Sequence, residues 1–456
     1  MNGQVTRTSR RAFFEQSARF IGAATVGGPL LLRGSAGATP ANGNLNLALV
    51  GCGGQGRGVM GWMLGTGKVN LVALCDPDAA QIAQARAAAG THGPGAQAYE
   101  DYRRLLDDAA SFDAVLIGTP DHWHMPLCRA FMKAGKHVYC EKPLTHSIAE
   151  ARELRLLARR SKVVTQMGNQ GSASESLRRC VEIIKAGALG TVRDMYYWGI
   201  GYAAQEGRPD GEDPVPEGFN WDLWVGPSAM RPFKAGVYHP ASWRGWFDFG
   251  NGGMADFCCH AMNLPMRALD LDYPERLVLN MQDGKQTPGK AAVEFHFAAR
   301  GSRPPVVFHW LAGEAPPSDA VRPIAELFGG KAPDGVLIVG ENGCIHTSHW
   351  NTDALVYLKG DAAPKRFSDH DAVRDVPRSL PRTQGHVQEW IAACNGEGTT
   401  FSDFETGGKL TEIGLAGVVA LRARKTLEWD GERMRAKNAP EATRFIRTPH
   451  RTKWII

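Results

Sequence analysis

Asn46-Leu47-Ala48-Leu49-Val50 runs directly into Gly51-Cys52-Gly53-Gly54-Gln55-Gly56-Arg57-Gly58, and the reading of this junction decides the fold. A short strand-like run followed by G-x-G-x-x-G predicts a buried strand, a tight turn and a helix. The glycines permit the turn, let a pyrophosphate approach the backbone and let the helix pack closely on the strand. A second apolar run, Val69-Asn70-Leu71-Val72-Ala73-Leu74-Cys75, ends in Asp76, placed as the acid that takes the adenosine ribose hydroxyls in a dinucleotide site. A carboxylate there repels a 2′-phosphate, so NAD is expected over NADP. Arg57 is the one nearby cation that could accept such a phosphate.

Strand and helix patterns then alternate. A helix is read near 79–89, a buried strand over 113–118, a helix over 124–134, a strand around Val138, a helix over 148–160 and a strand over 163–166. Alternation of this kind implies a parallel sheet with helices on both faces. A dinucleotide-binding Rossmann domain is therefore expected over 43–166. His122 and His124, at the start of a helix, have no carboxylate cluster beside them; they are read as a cofactor contact or cap, and no metal site is expected.

Lys136 to Leu144 places Lys142 just past the carboxyl end of a strand, in Glu141-Lys142-Pro143. Ligands of open α/β sheets bind along that edge. A lysine there can hydrogen-bond or protonate a substrate oxygen, and burial beside other cations is expected to lower its pKa.

A chain of 456 residues exceeds one ordinary core, and about two domains are expected. Residues 1–38 read as a Tat signal peptide: Arg10-Arg11, a charge-poor apolar run over 21–32, then Ala36-Gly37-Ala38. That segment holds five arginines and one glutamate, so its loss takes the formal charge from +5 to +1. A nearly neutral chain with no other long apolar run argues against nucleic-acid and membrane partners, and a periplasmic protein is expected. Nine cysteines cannot all pair; Cys52, Cys75 and Cys140 are read as buried thiols in or beside strands, and Cys258-Cys259 as neighbours pointing apart.

From Gly168 the pattern changes. A helix is read over 174–187 and a strand over 192–198, followed by an aromatic-rich insertion over about 199–252. Trp198, Trp221, Trp224, Trp243 and Trp246 fall in that region; each is read first as packing the insertion's own core and second as a face for a sugar ring. Gly250 to His260 predicts a helix after a glycine turn, with Asp256 and His260 one turn apart on one face, able to share a proton and present an imidazole to a hydroxyl. Alternating runs over 292–298, 305–311 and 335–340 predict antiparallel strands. Helices over 387–393 and 410–427 close the chain and are expected to return toward the first domain.

Gly51 to Gly56, Thr119-Pro120, Glu141-Lys142-Pro143 and Asp256 to His260, in this order, make the sequence resemble the Gfo/Idh/MocA oxidoreductases over essentially the whole chain after the leader, and the exported leader resembles the glucose-fructose oxidoreductase branch. The resemblance implies an α/β protein: an N-terminal Rossmann domain and, over 167–456, a C-terminal α+β domain with a large, mostly antiparallel open sheet. It implies tightly held NAD(P), a sugar or polyol substrate, and a homo-oligomer formed through the open sheet. Cofactor contacts are implied at Gly51, Gly53, Gln55, Gly56, Arg57, Asp76, Thr119, Pro120, His124, Glu141, Lys142, Gln170, Trp243 and Arg244. Lys142 and His260 would flank the reacting hydroxyl, with Asp256 orienting or relaying. Two positions depart from the family pattern. Asp121 stands where Thr-Pro-Asn is usual, and Asn263 where His-x-x-Asp is usual.

The expectation is thus an NAD-dependent oxidoreductase acting on a secondary hydroxyl of a sugar or glycoside, with the cofactor recycled in place because a periplasm is not expected to hold a free NAD pool. His260 is the expected base and Lys142 the stabiliser of the developing oxyanion. Two alternatives stand beside it: an NAD-dependent glycosidase working by transient oxidation at C3 and elimination, and a non-catalytic sugar-binding protein on the same fold.

Overall fold

The computed structural model describes residues 43–202, 204–280, 292–311, 316 and 318–454. The leader read over 1–38 lies outside the described residues. Buried apolar runs make the first sheet: β1 (Leu45–Val50), β2 (Val69–Cys75), β3 (Gln97–Tyr99), β4 (Ala114–Ile117), β5 (His137–Glu141) and β6 (Thr165–Gly168). All pairings are parallel and the order is β3-β2-β1-β4-β5-β6. Between them run α1 (Gly54–Leu64), α2 (Ala79–Ala88), α3 (Tyr102–Asp107), α4 (Asp121–Lys133) and α5 (Ile148–Arg160). The strand order reverses at β1 and β4, and the crevice outside their carboxyl ends is where such sheets bind ligands. Helix α5 starts at a reciprocal cap in which Ser147 and Glu150 satisfy each other's backbone N–H.

Helix α6 (Glu175–Lys185) leads into a second sheet of ten strands, ordered β14-β13-β12-β11-β7-β10-β9-β8-β15-β16. These are β7 (Val192–Trp198), β8 (Arg276–Asn280), β9 (Ala292–Phe297), β10 (Val306–Leu311), β11 (Gly335–Gly340), β12 (Gly343–Thr347), β13 (Ala354–Leu358), β14 (Lys365–Arg366), β15 (Leu427–Asp430) and β16 (Arg435–Ala436). In β10 the alternation buries Val306, Phe308 and Trp310 and leaves Val307, His309 and Leu311 part-exposed. One sheet face is therefore packed throughout, while the other is part-exposed along β10 and covered near β7, β11 and β12 by Val321 and Ile324. The packed face meets α7 (Gly252–Ala261) and the long α9 (Phe404–Ala423), while α8 (His386–Cys394) buries Trp390 against Leu47, Leu116 and Tyr139 of the first sheet. The closing helices thus return to the Rossmann half. Arg152 and Arg155 of α5 pair with Glu412 of α9 across that contact.

Four readings are corrected. The runs read as antiparallel strands pair that way at β9–β10, β11–β7 and β11–β12, but β10 and β7 pair in parallel, since alternation fixes which face a residue occupies but not the direction of its neighbour. The last helix ends at Ala423 rather than 427, because Arg424 takes a left-handed φ of 54° and Leu427 and Trp429 then alternate inward as β15. Helix α4 begins at Asp121, directly after Pro120, rather than at residue 124. Strand β6 runs Thr165–Gly168, two residues beyond the reading. All nine cysteines are unpaired and eight are buried.

Candidate active site

A cavity of about 510 Å³ opens at the switch point. Its floor is the glycine turn. Gly51 has φ +88°, and a Cβ on it would lie 2.5 Å from Thr119 N; one on Gly56 would lie 2.1 Å from Gly51 O. A Cβ on Gly53 would meet nothing within 4 Å, so that glycine leaves the approach to the α1 N-terminus open, and no side chain caps the helix there. Uncapped N–H groups at a helix N-terminus are suited to a phosphate. Gly56 packs beneath the turn and does not line the cavity.

Asp76 lines one wall and is fixed by two backbone donors, Cys52 N at 2.7 Å and Asp78 N at 2.9 Å. Burial pushes its carboxyl up to about 7 against those hydrogen bonds and Arg57. Arg57 also lines the cavity, but its Nη1 is engaged by Cys52 O (2.9 Å) and Gln81 Oε1 (2.8 Å). Thr119, Pro120, Gln55 and Glu141 complete this side. Burial raises the Glu141 carboxyl to about 7, with Lys142 opposing.

Two predicted contacts act one step back. His124 is buried off the cavity, with Nδ1 2.7 Å from Pro143 O and Nε2 2.9 Å from Thr119 O. It ties the loop carrying Thr119 to the one following Lys142, because helix α4 turns its ring inward between them. Gln170 does not line the cavity either; its amide donates to Glu141 Oε1 at 2.9 Å and Tyr139 Oη at 3.2 Å. The insertion forms the roof. His239 Nε2 lies 2.8 Å from Asp78 Oδ2, Ala79 N donates to Gly218 O, and Pro240, Trp243, Arg244 and Trp224 line the cavity. Trp221, Trp224 and Trp243 pack with Phe219, Phe233, Tyr238 and Phe249 in the insertion's own core, with Trp246 against it, whereas Trp198 belongs to the second sheet.

At the inner end Lys142 Nζ donates to Asp256 Oδ1 and, at 3.2 Å, to Asp256 O. Tyr202 Oη donates to Asp256 Oδ2 at 2.5 Å, and Arg244 Nε stands 3.9 Å away. Burial raises and Lys142 lowers the Asp256 carboxyl, which ends below its ordinary value; burial lowers and Asp256 raises Lys142, which ends above its own. Lys142 is therefore held charged, opposite to the expectation of a lowered pKa, because its partner is an acid and not a cation. Burial, then Asp256, pushes the phenol of Tyr202 and the carboxyl of Asp121 upward.

The expected sharing of a proton between Asp256 and His260 is not what the structure pairs. No side-chain hydrogen bond joins His260 to Asp256, whose two carboxylate oxygens are taken from outside the helix by Lys142 and Tyr202. His260 does not line the cavity but stands close behind it: its ring lies 6.1 Å from that of Phe257, and burial, then the Lys142 charge, lowers its pKa to about 3 while Asp256 opposes. Asn263 bonds Ser172 and Arg267 instead of a ligand. Tyr202 was not singled out from the sequence: it sits in a glycine- and aromatic-rich stretch with no period, 54 positions from its partner.

The donor set fits a dinucleotide. The glycine cradle faces an uncapped helix, and buried Thr119 Oγ1 and Glu141 Oε2 have no hydrogen-bond partner while lining the cavity. Among the described residues no group of three or more His, Cys, Asp or Glu could hold a metal ion, and no helix is long and apolar enough to cross a membrane.

Residues 45–169 match the GFO_IDH_MocA model, described as oxidoreductase family, NAD-binding Rossmann fold, and residues 191–292 match the family's C-terminal alpha/beta domain. A curated relative, inositol 2-dehydrogenase of Corynebacterium glutamicum (strain R), is 34% identical over 137 residues, covering 29% of this chain and 39% of its own. Glycosyl hydrolase family 109 protein 2 of Shewanella sp. (strain ANA-3) is 33% identical over 117 residues, 24% of this chain and 25% of its own. These alignments therefore span well under half of either relative. The crystal structure of aldose-aldose oxidoreductase from Caulobacter crescentus superposes with a TM-score of 0.55 at 16% identity, covering 85% of this chain and 100% of that one, a likeness of fold. Both domain models in order, on a Rossmann sheet followed by a large mixed, mostly antiparallel sheet, make this chain a member of the Gfo/Idh/MocA oxidoreductase family.

Proposed function

We propose that the protein is an NAD-dependent oxidoreductase acting on a secondary hydroxyl of a sugar or glycoside. The observation that carries this reading is the Lys142–Asp256–Tyr202 chain at the inner end of a cavity whose other end is a glycine cradle. Gly51, Gly53, Gln55, Asp76, Thr119, Glu141 and Trp243 would hold the cofactor, which supplies a hydride acceptor when bound. Lys142 places a fixed positive charge where the substrate oxygen loses its proton. As the hydroxyl gives its proton to Lys142, the ammonium hands one to Asp256, and the carboxylate, held below its ordinary pKa, relays it to solvent and returns to its ionised form. Tyr202 donates to the other oxygen of Asp256 and holds it in position. Arg244 balances its charge. His260, kept neutral by burial and behind the cavity lining, would support Lys142.

The roof formed by the insertion supports a cofactor that stays bound between turnovers, reoxidised in place by a second carbonyl compound. The twin-arginine leader supports export of the folded, loaded protein to the periplasm, and the part-exposed face of the second sheet offers a surface for another copy. Single-turnover reduction of bound NAD with a panel of sugars and methyl glycosides tests the central reading. Failure of every member to reduce the cofactor, with the cofactor present, overturns it in favour of a sugar-binding protein.

A second reading is favoured by the family 109 glycosyl hydrolase relative. Oxidation at C3 acidifies the C2 hydrogen, a base removes it, the C1 substituent leaves, water adds and the ketone is reduced again. Mass spectrometry in deuterated water separates the two. Deuterium at C2 with release of the aglycone identifies the hydrolytic cycle, and an unlabelled oxidised sugar the simple one.

A further inference from the structure

From Lys142 an aromatic run leads behind the cavity lining to the surface. Lys142 Nζ lies 5.2 Å from the Phe257 ring, Phe257 lies 6.4 Å from Trp350 at 62° and 6.3 Å from His349 at 72°, and His349 meets Trp350 edge-on at 5.7 Å. Trp350 is 45% exposed although it sits on a well-held turn between β12 and β13. Asn351, fully buried with φ +58°, donates from Nδ2 to Thr347 Oγ1 at 2.9 Å, and its carbonyl accepts from Ser174 Oγ at 2.8 Å. The same turn lies directly on Gly171, where a Cβ would come 1.8 Å from Trp350 O. Gln170, the next residue, bonds Glu141, the neighbour of Lys142. The backbone that carries the indole is therefore held in a fixed relation to the reacting end of the cavity, while the indole rests on Phe257 and His349 with nearly half its surface in water. A rigid backbone that exposes a large aromatic beside a site is suited to stacking on a ligand. His349 adds a buried Nδ1 with no hydrogen-bond partner.

From this placement we infer that Trp350, with Phe257 and His349, forms a subsite for the second, non-reacting ring of a disaccharide-like glycoside. The apolar C–H face of that ring would lie on the exposed indole, with Phe257 and His349 packed behind it. The inference rests on the reading of Lys142 as the group at the reacting hydroxyl, and it makes the substrate larger than a single sugar.

The test uses the cofactor-loaded protein with cellobiose, maltose and lactose as probes against methyl glucoside. Binding is read by saturation-transfer NMR and reaction by reduction of bound NAD. The expected result is saturation of the second ring in at least one disaccharide. Its affinity should fall about 10-fold in Trp350→Ala and be largely restored in Trp350→Phe, with methyl glucoside unaffected. Four outcomes overturn the subsite: no disaccharide binds; Trp350→Ala weakens both probe classes equally; it weakens neither; or it changes oligomeric state while affinity holds. Trp350-dependent binding without any NAD reduction leaves the subsite standing and overturns the oxidoreductase reading. NAD reduction by methyl glucoside with no disaccharide bound does the reverse.

Discussion

At the scale of single residues, the site is governed by which charges have partners. Asp76 is buried with a pKa raised from 3.8 to about 7. Its contribution to the stability of the cofactor-free protein is therefore complete below its ordinary value and is lost as pH rises through about 7. Ribose hydroxyls donate to the ionised form, so cofactor binding must release a proton, and NAD affinity should fall about 10-fold for each pH unit below 7. Calorimetry in buffers of different ionisation heat should register that proton, and Asp76→Asn should flatten the profile while relaxing discrimination against NADP. An unchanged slope in Asp76→Asn assigns the effect to Glu141, which titrates in the same range. Lys142 and Asp256 are a second case, both mostly buried and each other's principal partner. Lys142→Ala should lower single-turnover reduction about 10²- to 10⁴-fold. It should also destabilise by about 3 to 5 kcal/mol, because it leaves Asp256 buried without its cation. Adding Asp256→Ala should restore stability without restoring turnover. If the double variant is less stable than Lys142→Ala, the pair is not what the structure shows.

Among the elements, α9 joins the two halves and its close face is lined with glycine. A Cβ on Gly407 would lie 2.8 Å from Met167, on Gly408 2.4 Å from Arg155, on Gly414 3.1 Å from Cys258 and on Gly417 2.5 Å from both Met254 and Phe295. Small residues let α9 approach β6 and α5 on one side and α7, which carries Asp256, on the other. Gly417→Val should destabilise by about 1 to 3 kcal/mol through overpacking. It should also slow reduction of bound NAD while leaving NAD affinity unchanged, since α7 would shift and the cradle would not. Equal loss of cofactor affinity would show that the disturbance is global. That role was not legible in the sequence, where glycines within a helix carry no sign of what they face. The Rossmann half was legible because its signals are local: an apolar run, a glycine turn and an acid 20 residues later fix strand, turn and ligand edge together. Lys142 and Asp256 were placed from motifs, but their pairing spans 114 positions, and the Asp256–His260 reading followed helix periodicity alone. Tyr202 intervenes from a segment with no periodicity. The second sheet was read only in part, because β8, β12 and β13 are short runs whose order and direction depend on long-range pairing.

For the whole molecule, the last described residues lock the insertion to the Rossmann half. Arg451 donates from Nη1 to Asp222 Oδ1 at 2.7 Å, from Nε to Gly226 O at 2.7 Å and from its backbone to Pro227 O at 2.9 Å, and Lys453 pairs with Asp222 as well. His450 reaches Glu150 of α5 at 2.8 Å. Trp454 is buried between Arg103, 4.6 Å from its ring, and Trp123, 5.2 Å away at 84°. Trp123 lines the cavity and donates to Trp224 O in the insertion at 3.0 Å. The segment therefore runs from α5 past the insertion to the cavity wall, and the roof cannot lift without breaking charge-assisted hydrogen bonds. Those are worth about 1.5 to 3 kcal/mol each, and every 1.4 kcal/mol is about tenfold. Arg451→Met should consequently speed NADH release at least about 10-fold, followed by fluorescence when excess NAD displaces it. Removing residues 449–456 should speed it further. Because the effect lies in release, the association rate should change little. Glycine-cradle contacts remain in both variants, so binding should weaken but persist. Unchanged release in Arg451→Met alongside a lowered melting temperature would mean that the segment stabilises the fold without gating the cofactor.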